Sequence, residues 1–260
     1  MMKTQAALAD DFHALHVKGD PVILYNIWDA GSAKAVAEAG ARAIATGSAP
    51  VAMANGYADG HALPLEDALA NVARIVKAVD VPVTMDFEGA YSEVPEEGAA
   101  NFSRAIKAGA IGFNFEDQIV GAEGLHAVDV QIARLQAARQ ACDASGVRAF
   151  INARTDVFLK AFVAKQEPTR AMLDEVLARA EAYARAGADG FFAPGLLDVD
   201  MVTELCAKAR LPVNIIALPG APSNPELAKA GVARISYGPV PYRQMVAWLG
   251  DQAKVVFAGG

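Results

Sequence analysis

The chain has 260 residues, with 23 basic and 30 acidic side chains and a formal net charge of −7. An acidic chain repels phosphate backbones, and no stripe of Lys or Arg offsets that charge, so nucleic acid is excluded as the main partner. The apolar fraction of 53% excludes a disordered chain and is enough for a large core without disulfides or a structural metal.

The N-terminal segment predicts a helix and not a targeting signal. Charged residues interrupt the opening MMKTQAALADDFHALH, so it lacks the continuous apolar stretch of a signal peptide. We predict an extra helix over residues 3–17, in which Leu8, Phe12 and Leu15 cover the bottom of the fold or pack on its side. No run of about 20 apolar residues occurs, so we expect a cytoplasmic protein without a membrane partner.

Eight short apolar runs then alternate with Ala-rich segments along the chain. Each run is rich in Val, Ile or Phe and is bounded by Gly, Pro or a helix end, as a fully buried strand is. The predicted strands are VILYNIW from Val22, ARAIATG from Ala41, VPVTMDFE from Val81, AIGFNFE from Ala110, RAFINARTD from Arg148, GFFAPG from Gly190, PVNIIALPG from Pro212 and ARISYGP from Ala233. The predicted helices cover residues 32–39, 65–79, 97–108, 129–145, 170–186, 198–209, 223–230 and 240–257.

A helix that ends in Gly and leads into a buried strand recurs about every 30 residues. Gly40, Gly109, Gly187 and Gly231 each follow a helix-ending Ala, and glycine there permits the left-handed conformation. Eight such units predict an α/β fold, a (β/α)8 TIM barrel. The alternative is a doubly wound open sheet, but the GxGxxG turn expected after its first strand is absent. No Pro/Ser-rich linker divides the chain, so we predict a single domain over residues 1–260.

Acidic residues concentrate at two neighbouring strand ends, where TIM barrels carry their active sites. Asp86 and Glu88 are two apart at the end of the third strand, so they point to the same side, and Glu116 lies at the same level on the fourth. Converging carboxylates repel one another unless a cation is present, and oxygen-only ligands suit Mg²⁺ or Mn²⁺. We predict a metal site with Asp86 as direct ligand and the two glutamates acting through water. The alternative is that these acids pair with Lys or Arg or cap helices.

Arg154 ends the fifth strand directly after the uncharged segment FINA. An Arg at the barrel mouth binds a carboxylate through two parallel hydrogen bonds. The alternative is an internal salt bridge to Asp156 or to the acid cluster. Together with the metal site, Arg154 predicts a small anionic carboxylate as the substrate, since such a metal polarises a carbonyl and stabilises a developing enolate.

Six segments at the predicted strand ends carry a resemblance to a known superfamily. They are NIWDAGSAKAVAEAG, TGSAPVAMANGYADG, VPVTMDFEGAY, GFNFEDQ, INARTDVFL and RAGADGFFAPG. In this order, from about Asn26 to Pro239, the chain resembles the isocitrate lyase/phosphoenolpyruvate mutase superfamily, in its oxaloacetate-decarboxylase-like or phosphonomutase-like branch. The resemblance implies a (β/α)8 barrel that binds Mg²⁺ and a 2-oxo acid or enolpyruvate-type substrate that chelates the metal.

The resemblance also implies roles for single residues. Asp86 would be the principal metal ligand, with Glu88 and Glu116 holding metal-bound waters. Arg154 would bind the substrate carboxylate. Asp59, in the segment GYAD, falls where the superfamily carries an acid that faces the reacting centre and the metal-bound waters.

A second group of residues is expected to contact the substrate. The backbone around Gly47, Ser48 and Ala49 would supply donors to an oxyanion or a carboxylate, and Ser48 is counted with the catalytic candidates. Trp28, at the end of the first strand, is a candidate substrate-binding side chain. The chain carries no GxSxG motif, so Ser48 is not expected to act as a nucleophile.

The loop over residues 118–128 sets the expected reaction. It lacks the Cys of the KKCGH-type loop of isocitrate and methylisocitrate lyases, and also the Lys and Asn of phosphonopyruvate-forming mutases. Its His126 is either a loop acid or base or a solvent-facing residue, and Tyr57 and Tyr91 are further candidates for substrate specificity. We predict a Mg²⁺-dependent lyase that cleaves a C–C bond in an oxaloacetate- or malate-like 2-oxo or 2-hydroxy carboxylate. The alternatives are a phosphoenolpyruvate/phosphonopyruvate mutase or hydrolase, and an inactive metabolite-binding barrel.

The resemblance further implies an assembly. Members of the superfamily usually form tetramers in which the last helix is exchanged between partners. The predicted helix 240–257 carries apolar side chains for such a contact, namely Tyr242, Met245, Val246, Trp248 and Leu249. We expect a homotetramer of two helix-exchanged dimers, and the alternative is an ordinary eighth helix on its own barrel.

Overall fold

Eight parallel strands form a nearly closed barrel in the computed structural model, which describes residues 3–259. The strands are β1 Val22–Leu24, β2 Ile44–Ala45, β3 Val83–Asp86, β4 Gly112–Glu116, β5 Phe150–Arg154, β6 Gly190–Phe192, β7 Val213–Ile216 and β8 Arg234–Ser236. Their order in the sheet is β1-β8-β7-β6-β5-β4-β3-β2, and a parallel bridge between Ile27 and Thr46 links the two ends. The predicted TIM barrel is therefore confirmed.

Helices separate the strands along the chain. They are α1 Gln5–Ala14, α2 Ala30–Glu38, α3 Ser48–Ala54, α4 Leu65–Ala78, α5 Pro95–Lys107, α6 Val128–Ala144, α7 Val157–Val163, α8 Arg170–Arg185, α9 Val199–Lys208, α10 Asn224–Lys229 and α11 Val240–Phe257. Each predicted helix is present, and α11 has the predicted bounds. Within residues 3–259, none of the helices combines the length and the apolar character that crossing a bilayer requires.

Two helices that the sequence pattern did not predict, α3 and α7, start where β2 and β5 end. Pro50 falls in the first turn of α3, where its missing N–H costs nothing, but the same proline makes the segment SAPVAMA look like a turn. The segment VFLKAFV of α7 is too apolar and too short for its period to separate it from the strand before it. Both helices lie beside the site described below.

Helix α1 covers the N-terminal end of the barrel and is shorter than the predicted 3–17. Thr4 caps it by accepting a hydrogen bond from the backbone N–H of Ala7 at 3.2 Å. Phe12 is fully buried and meets Phe150 edge to face, with ring centroids 5.5 Å apart. A Cβ added to Gly112, the first residue of β4, would lie 3.1 Å from the Phe12 ring. Glycine at this position therefore leaves room for the Phe12 side chain at the end of the barrel.

The predicted glycine helix ends are confirmed. Gly40, Gly109, Gly187 and Gly231 have φ of +99°, +108°, +100° and +91°, the left-handed region that favours glycine. At Gly109 an added Cβ would also lie 2.7 Å from the side chain of Val76. Each of these tight turns leads directly into the strand that follows, namely β2, β4, β6 or β8. The C-terminal end of that strand therefore lies at the opposite face of the barrel.

Candidate active site

The C-terminal ends of the strands enclose a cavity of about 320 Å³, near the lower end of the range of about 300–1,000 Å³ for ligand pockets. Asp59, Asp86 and Arg154 line it, together with Gly47 and Ser48. With Ala49, which also lines it, the structure thus brings six of the predicted site residues to one cavity at the predicted face of the barrel.

Asp86 is held by neutral donors on two sides. Its Oδ2 accepts a hydrogen bond from the backbone N–H of Ser48 at 3.2 Å, and its Oδ1 accepts one from Asn114 Nδ2 at 3.3 Å. Within residues 3–259, no Lys, Arg or His lies within ion-pair distance of Asp86, Asp59 or Glu88. Among these residues, none of the three acids is therefore compensated by a direct ion pair.

Glu88 lies beside Asp86 and is buried, with 8% of its surface exposed. It lines a small pocket of about 20 Å³ together with Asp86, which is room for one water, since a water needs about 10–15 Å³. Burial, followed by the charges of Asp59 and Asp86, raises the pKa of Glu88 to about 8. Burial, followed by the charge of Asp86, also raises the pKa of Asp59, although a hydrogen bond from Ser48 partly offsets this.

The turn that carries Glu88 is strained, and hydrogen bonds to His61 hold it in place. Glu88, Ala90 and Tyr91 have positive φ of 50°, 59° and 58°, and His61, which contacts them, has φ of 60°. The backbone N–H of His61 donates to Glu88 Oε2 at 2.8 Å. The ring Nε2 of His61 lies 3.1 Å from the backbone N–H of Gly89 and 3.3 Å from that of Tyr91. Because it accepts from both, this nitrogen carries no proton.

Arg154 forms the internal salt bridge that the sequence left open as the alternative, and it does so both to Asp156 and to the acid cluster. Its Nε and Nη2 donate to the two carboxylate oxygens of Asp156 at 2.6 and 2.8 Å, and its Nη1 lies 2.9 Å from Glu116 Oε2. Burial lowers the pKa of Arg154, but the charges of Asp156 and Glu116 outweigh it, so the pKa is raised and the guanidinium stays charged. Arg154 also lines the cavity, where the N–H groups that Asp156 does not use can meet a carboxylate.

The interior of the barrel fixes Asp86 from below through Asn114. The Oδ1 of Asn114 accepts hydrogen bonds from Arg234 Nη2 at 3.0 Å and from Asn152 Nδ2 at 2.9 Å, which leaves its Nδ2 for Asp86. Burial lowers the pKa of Arg234 to about 9, and the charge of Asp86 counteracts this. One buried cation therefore faces Asp86 through an amide rather than through direct contact.

The opposite side of the cavity is apolar. Helix α7 and the ends of β6 and β7 supply this apolar wall, which consists of Leu159, Phe162, Val163, Phe192, Pro194, Ile216 and Leu218. Arg243, on the first turn of α11, stands exposed at the rim of the cavity. The acids and the apolar wall thus share one cavity, and they meet where the guanidinium carbon of Arg154 lies 5.9 Å from the centre of the Phe192 ring.

The donor set fits a magnesium or manganese ion. Among residues 3–259, no three Asp, Glu, His or Cys side chains converge as direct ligands of one ion. Mg²⁺ does not require this, because it takes one or two carboxylates and keeps several waters. Asp86 offers an oxygen ligand without a competing cation, and Glu88 faces space for one water beside it. Glu116, by contrast, is already paired with Arg154.

Some candidates lie outside the cavity. Trp28 packs edge to face on Tyr242, with ring centroids 5.1 Å apart, and lines a separate groove against α11. The ring of His126 is buried, and its Nε2 has no hydrogen-bond partner within residues 3–259, so it does not face solvent. Tyr91 stacks on His61 at 4.5 Å, and Tyr57 is exposed. Ser48 and Ala49 do line the cavity, but Asp86 already uses the backbone N–H of Ser48.

Three residues that shape the site were not predicted from the sequence, namely His61, Asn114 and Arg234. A lone histidine in a loop carries no signal of its own. Asn114 and Arg234 lie within predicted strands, where a polar residue followed by apolar neighbours does mark an inward-facing position in a barrel. That pattern was the available signal for both.

Similarity to known proteins extends over nearly the whole chain. Residues 12–257 match the family model described as phosphoenolpyruvate phosphomutase. A crystal structure from Burkholderia cenocepacia J2315, provisionally named a phosphonomutase, is similar with a TM-score of 0.92 and 47% identity, covering 99% of this chain and 100% of that one. An uncharacterised protein of Mycobacterium tuberculosis is 34% identical over 89% of this chain and 83% of its own. The 2-methylisocitrate lyase of Escherichia coli is 26% identical over 90% of this chain and 79% of its own.

Proposed function

This chain belongs to the phosphoenolpyruvate phosphomutase family, and from that premise we propose that it is a Mg²⁺-dependent lyase that cleaves a C–C bond in a small 2-oxo or 2-hydroxy carboxylate. The family includes enzymes named as lyases and mutases. One observation carries the proposal: Asp59, Asp86 and Glu88 crowd together without a basic partner, while Arg154 stays charged beside them. That arrangement suits a divalent cation together with an anionic substrate.

In the proposed reaction, different residues of this chain hold the cation, bind the substrate carboxylate and transfer the proton. A cation bound at Asp86 supplies the positive charge that stabilises a developing enolate. Arg154 binds the substrate carboxylate with the N–H groups that Asp156 and Glu116 leave free. Asp59 stands at the mouth of the same cavity, and its raised pKa suits a group that takes up and returns a proton.

The charge of the cavity favours C–C over P–C cleavage. A phosphoryl group carries more negative charge than a carboxylate and needs several cations around it. Here Arg154 is largely neutralised by Asp156 and Glu116, and Arg243 is exposed at the rim. A phosphonopyruvate mutase remains the second candidate, because the relative at 47% identity is provisionally named a phosphonomutase.

A substrate panel tests the proposal. We expect the purified protein with Mg²⁺ to turn over oxaloacetate or a malate derivative, to lose activity with a chelator and to recover it with added Mg²⁺. Phosphonopyruvate serves as the competing substrate. Turnover of phosphonopyruvate alone would reverse the ranking, and no turnover of any acid with Mg²⁺ present would favour a barrel that only binds a metabolite.

We also propose that α11 packs against a second copy of the chain, as part of a homotetramer. Of its 18 residues only Pro241 is buried, while Trp248, Leu249 and Phe257 are 61%, 56% and 87% exposed. A helix that exposes several large apolar side chains is typical of a protein interface. Light scattering at low concentration tests it: we expect a tetramer, and smaller species for Leu249→Lys.

A further inference from the structure

The apolar wall of the cavity is built from the ends of two strands and one face of α7. Phe192 and Ile216 are 3% and 8% exposed, so they are part of the core and hold fixed positions. Leu159 and Leu218 complete the wall from α7 and from the loop after β7. None of these side chains can donate a hydrogen bond.

The polar side chains next to this wall are already bonded within the protein. Asn26 donates to the backbone oxygen of Thr46 at 2.8 Å, and its Oδ1 accepts from the backbone N–H groups of Tyr237 and Gly238 at 2.9 and 2.8 Å. The hydroxyl of Ser236 is paired with Asn214 at 3.2 and 3.3 Å. Beyond the reach of Arg154, which borders the wall at Phe192, a charged group on this side of the cavity would therefore find no free buried donor among residues 3–259.

From this we propose that the substrate carries an uncharged alkyl group on the side that meets the apolar wall, while its anionic groups stay on the side of Asp86 and Arg154. The inference rests on the proposed function, because it assumes that the 2-oxo acid end lies at Asp86. A carboxylate against the wall would lose its hydration and gain no hydrogen bond in return. A methylene group placed there changes selectivity by roughly tenfold or more.

Binding of two matched acids tests this without any need for turnover. The acids 2-oxovalerate and 2-oxoglutarate have the same chain length and differ in a terminal methyl against a terminal carboxylate. In calorimetry with Mg²⁺ present, we expect 2-oxovalerate to bind about tenfold more tightly. Tighter binding of 2-oxoglutarate, or binding of neither acid, would overturn the inference.

Two variants sharpen the test. Leu218→Arg places a cation on the wall and is expected to reverse the preference towards 2-oxoglutarate. The matched control is Leu197→Arg, because Leu197 lines a neighbouring cleft and not this cavity, and it should leave the preference unchanged. Thermal melts identify any variant that fails to fold.

Arg243 provides a third arm of the experiment. We expect Arg243→Met to leave the affinity for 2-oxoglutarate unchanged. If 2-oxoglutarate binds more tightly and loses that advantage in Arg243→Met, then the rim arginine holds a distal carboxylate and the inference is wrong.

These readouts separate the inference from the proposed lyase activity. A preference for 2-oxovalerate together with no turnover of any acid would leave the inference standing and remove the proposed function. Turnover together with a preference for 2-oxoglutarate would do the opposite.

Discussion

The two sides of the barrel mouth are built from strand ends of the same sheet and carry opposite chemistry. On one side, β3 to β5 end in acids and Arg154, and the acids are held by the backbone N–H groups of Ser48 and His61. On the other side, β6 and β7 end in Phe192 and Ile216. The polar groups there are bonded to the protein itself.

We expect the acidic side of the mouth to carry out the reaction and the apolar wall to select the substrate. The carboxyl groups of Asp86 and Glu88, which have no ion-pair partner within residues 3–259, suit a cation and an anionic reacting centre, which every substrate of the enzyme shares. The apolar wall contacts only the part of the substrate that differs from one acid to another. Substitutions on the acidic side are therefore expected to affect all substrates alike, and substitutions on the wall are expected to change the preference among them.

The largest effect is expected from Asp86→Asn. This change removes the only charge on the proposed direct metal ligand and keeps its size, so the protein should fold and lose activity about 10³-fold for every acid in the panel. Steady-state kinetics at saturating Mg²⁺ measures it. Asp251→Asn, on the exposed surface of α11, is the matched control. A loss confined to one substrate would contradict the division between the two sides.

The next effect concerns stability. Arg154→Met leaves the carboxylates of Glu116 and Asp156 buried without a partner, and breaking such a buried pair costs about 3–5 kcal/mol. Urea denaturation should show this loss. Arg170→Met removes an exposed arginine that also pairs with two acids, Asp174 and Glu204, and should change stability little. Equal effects of the two substitutions would mean that burial of the Arg154 cluster is not decisive.

A third effect depends on pH through Glu88. Its pKa in the folded protein is about 8, against an ordinary value of 4.5. An acid with a raised pKa in the folded state ionises more readily in the unfolded chain, so without metal the folded state loses stability as pH rises from about 4.5 to about 8. We expect the melting temperature in a chelator to fall across this range by about 10 °C.

Two comparisons check this cause. Glu88→Gln should flatten the pH dependence of the melting temperature, because it removes the titrating group. Mg²⁺ should raise the melting temperature of the unsubstituted protein more at pH 8 than at pH 6. If the melting temperature of Glu88→Gln falls with pH as steeply as that of the unsubstituted protein, then other groups cause the pH dependence.

The sequence predicted the acidic side better than the apolar side, for a physical reason. A charged residue at the end of an apolar strand stands out, so Asp86, Glu116 and Arg154 were recognised and fall at the expected face of the barrel. An apolar residue at the same position looks like any other core residue, so Phe192 and Ile216 gave no sign that they line a cavity.

Contacts that depend on loop conformation could also not be predicted from the sequence pattern. Only Thr155 and Asp156 separate helix α7 from β5, and the role of α7 in the wall appears only when the turn at Asp156 is in place. Trp28 was expected at the substrate because it ends a strand, but its ring turns outward to Tyr242. The eight strands were predictable because burial and glycine helix ends repeat along the chain.

The smallest effect is expected at His61. His61→Gly relieves the positive φ of 60° at this position but removes the ring nitrogen that accepts from Gly89 and Tyr91. An unsatisfied N–H costs about 1 kcal/mol or more, so we expect turnover to fall about fivefold, with the position of Glu88 less well defined. His61→Asn, which tolerates this backbone conformation and offers an acceptor oxygen, should recover part of the loss.

The readout that matters for His61 is the ratio between acids. Because His61 contacts the acidic side alone, turnover should fall by the same factor for a substrate with an alkyl group and for one with a terminal carboxylate. A changed ratio would mean that the loop carrying His61 also positions the apolar wall. The two sides of the mouth would then act as one unit, and selectivity could not be altered without altering the rate.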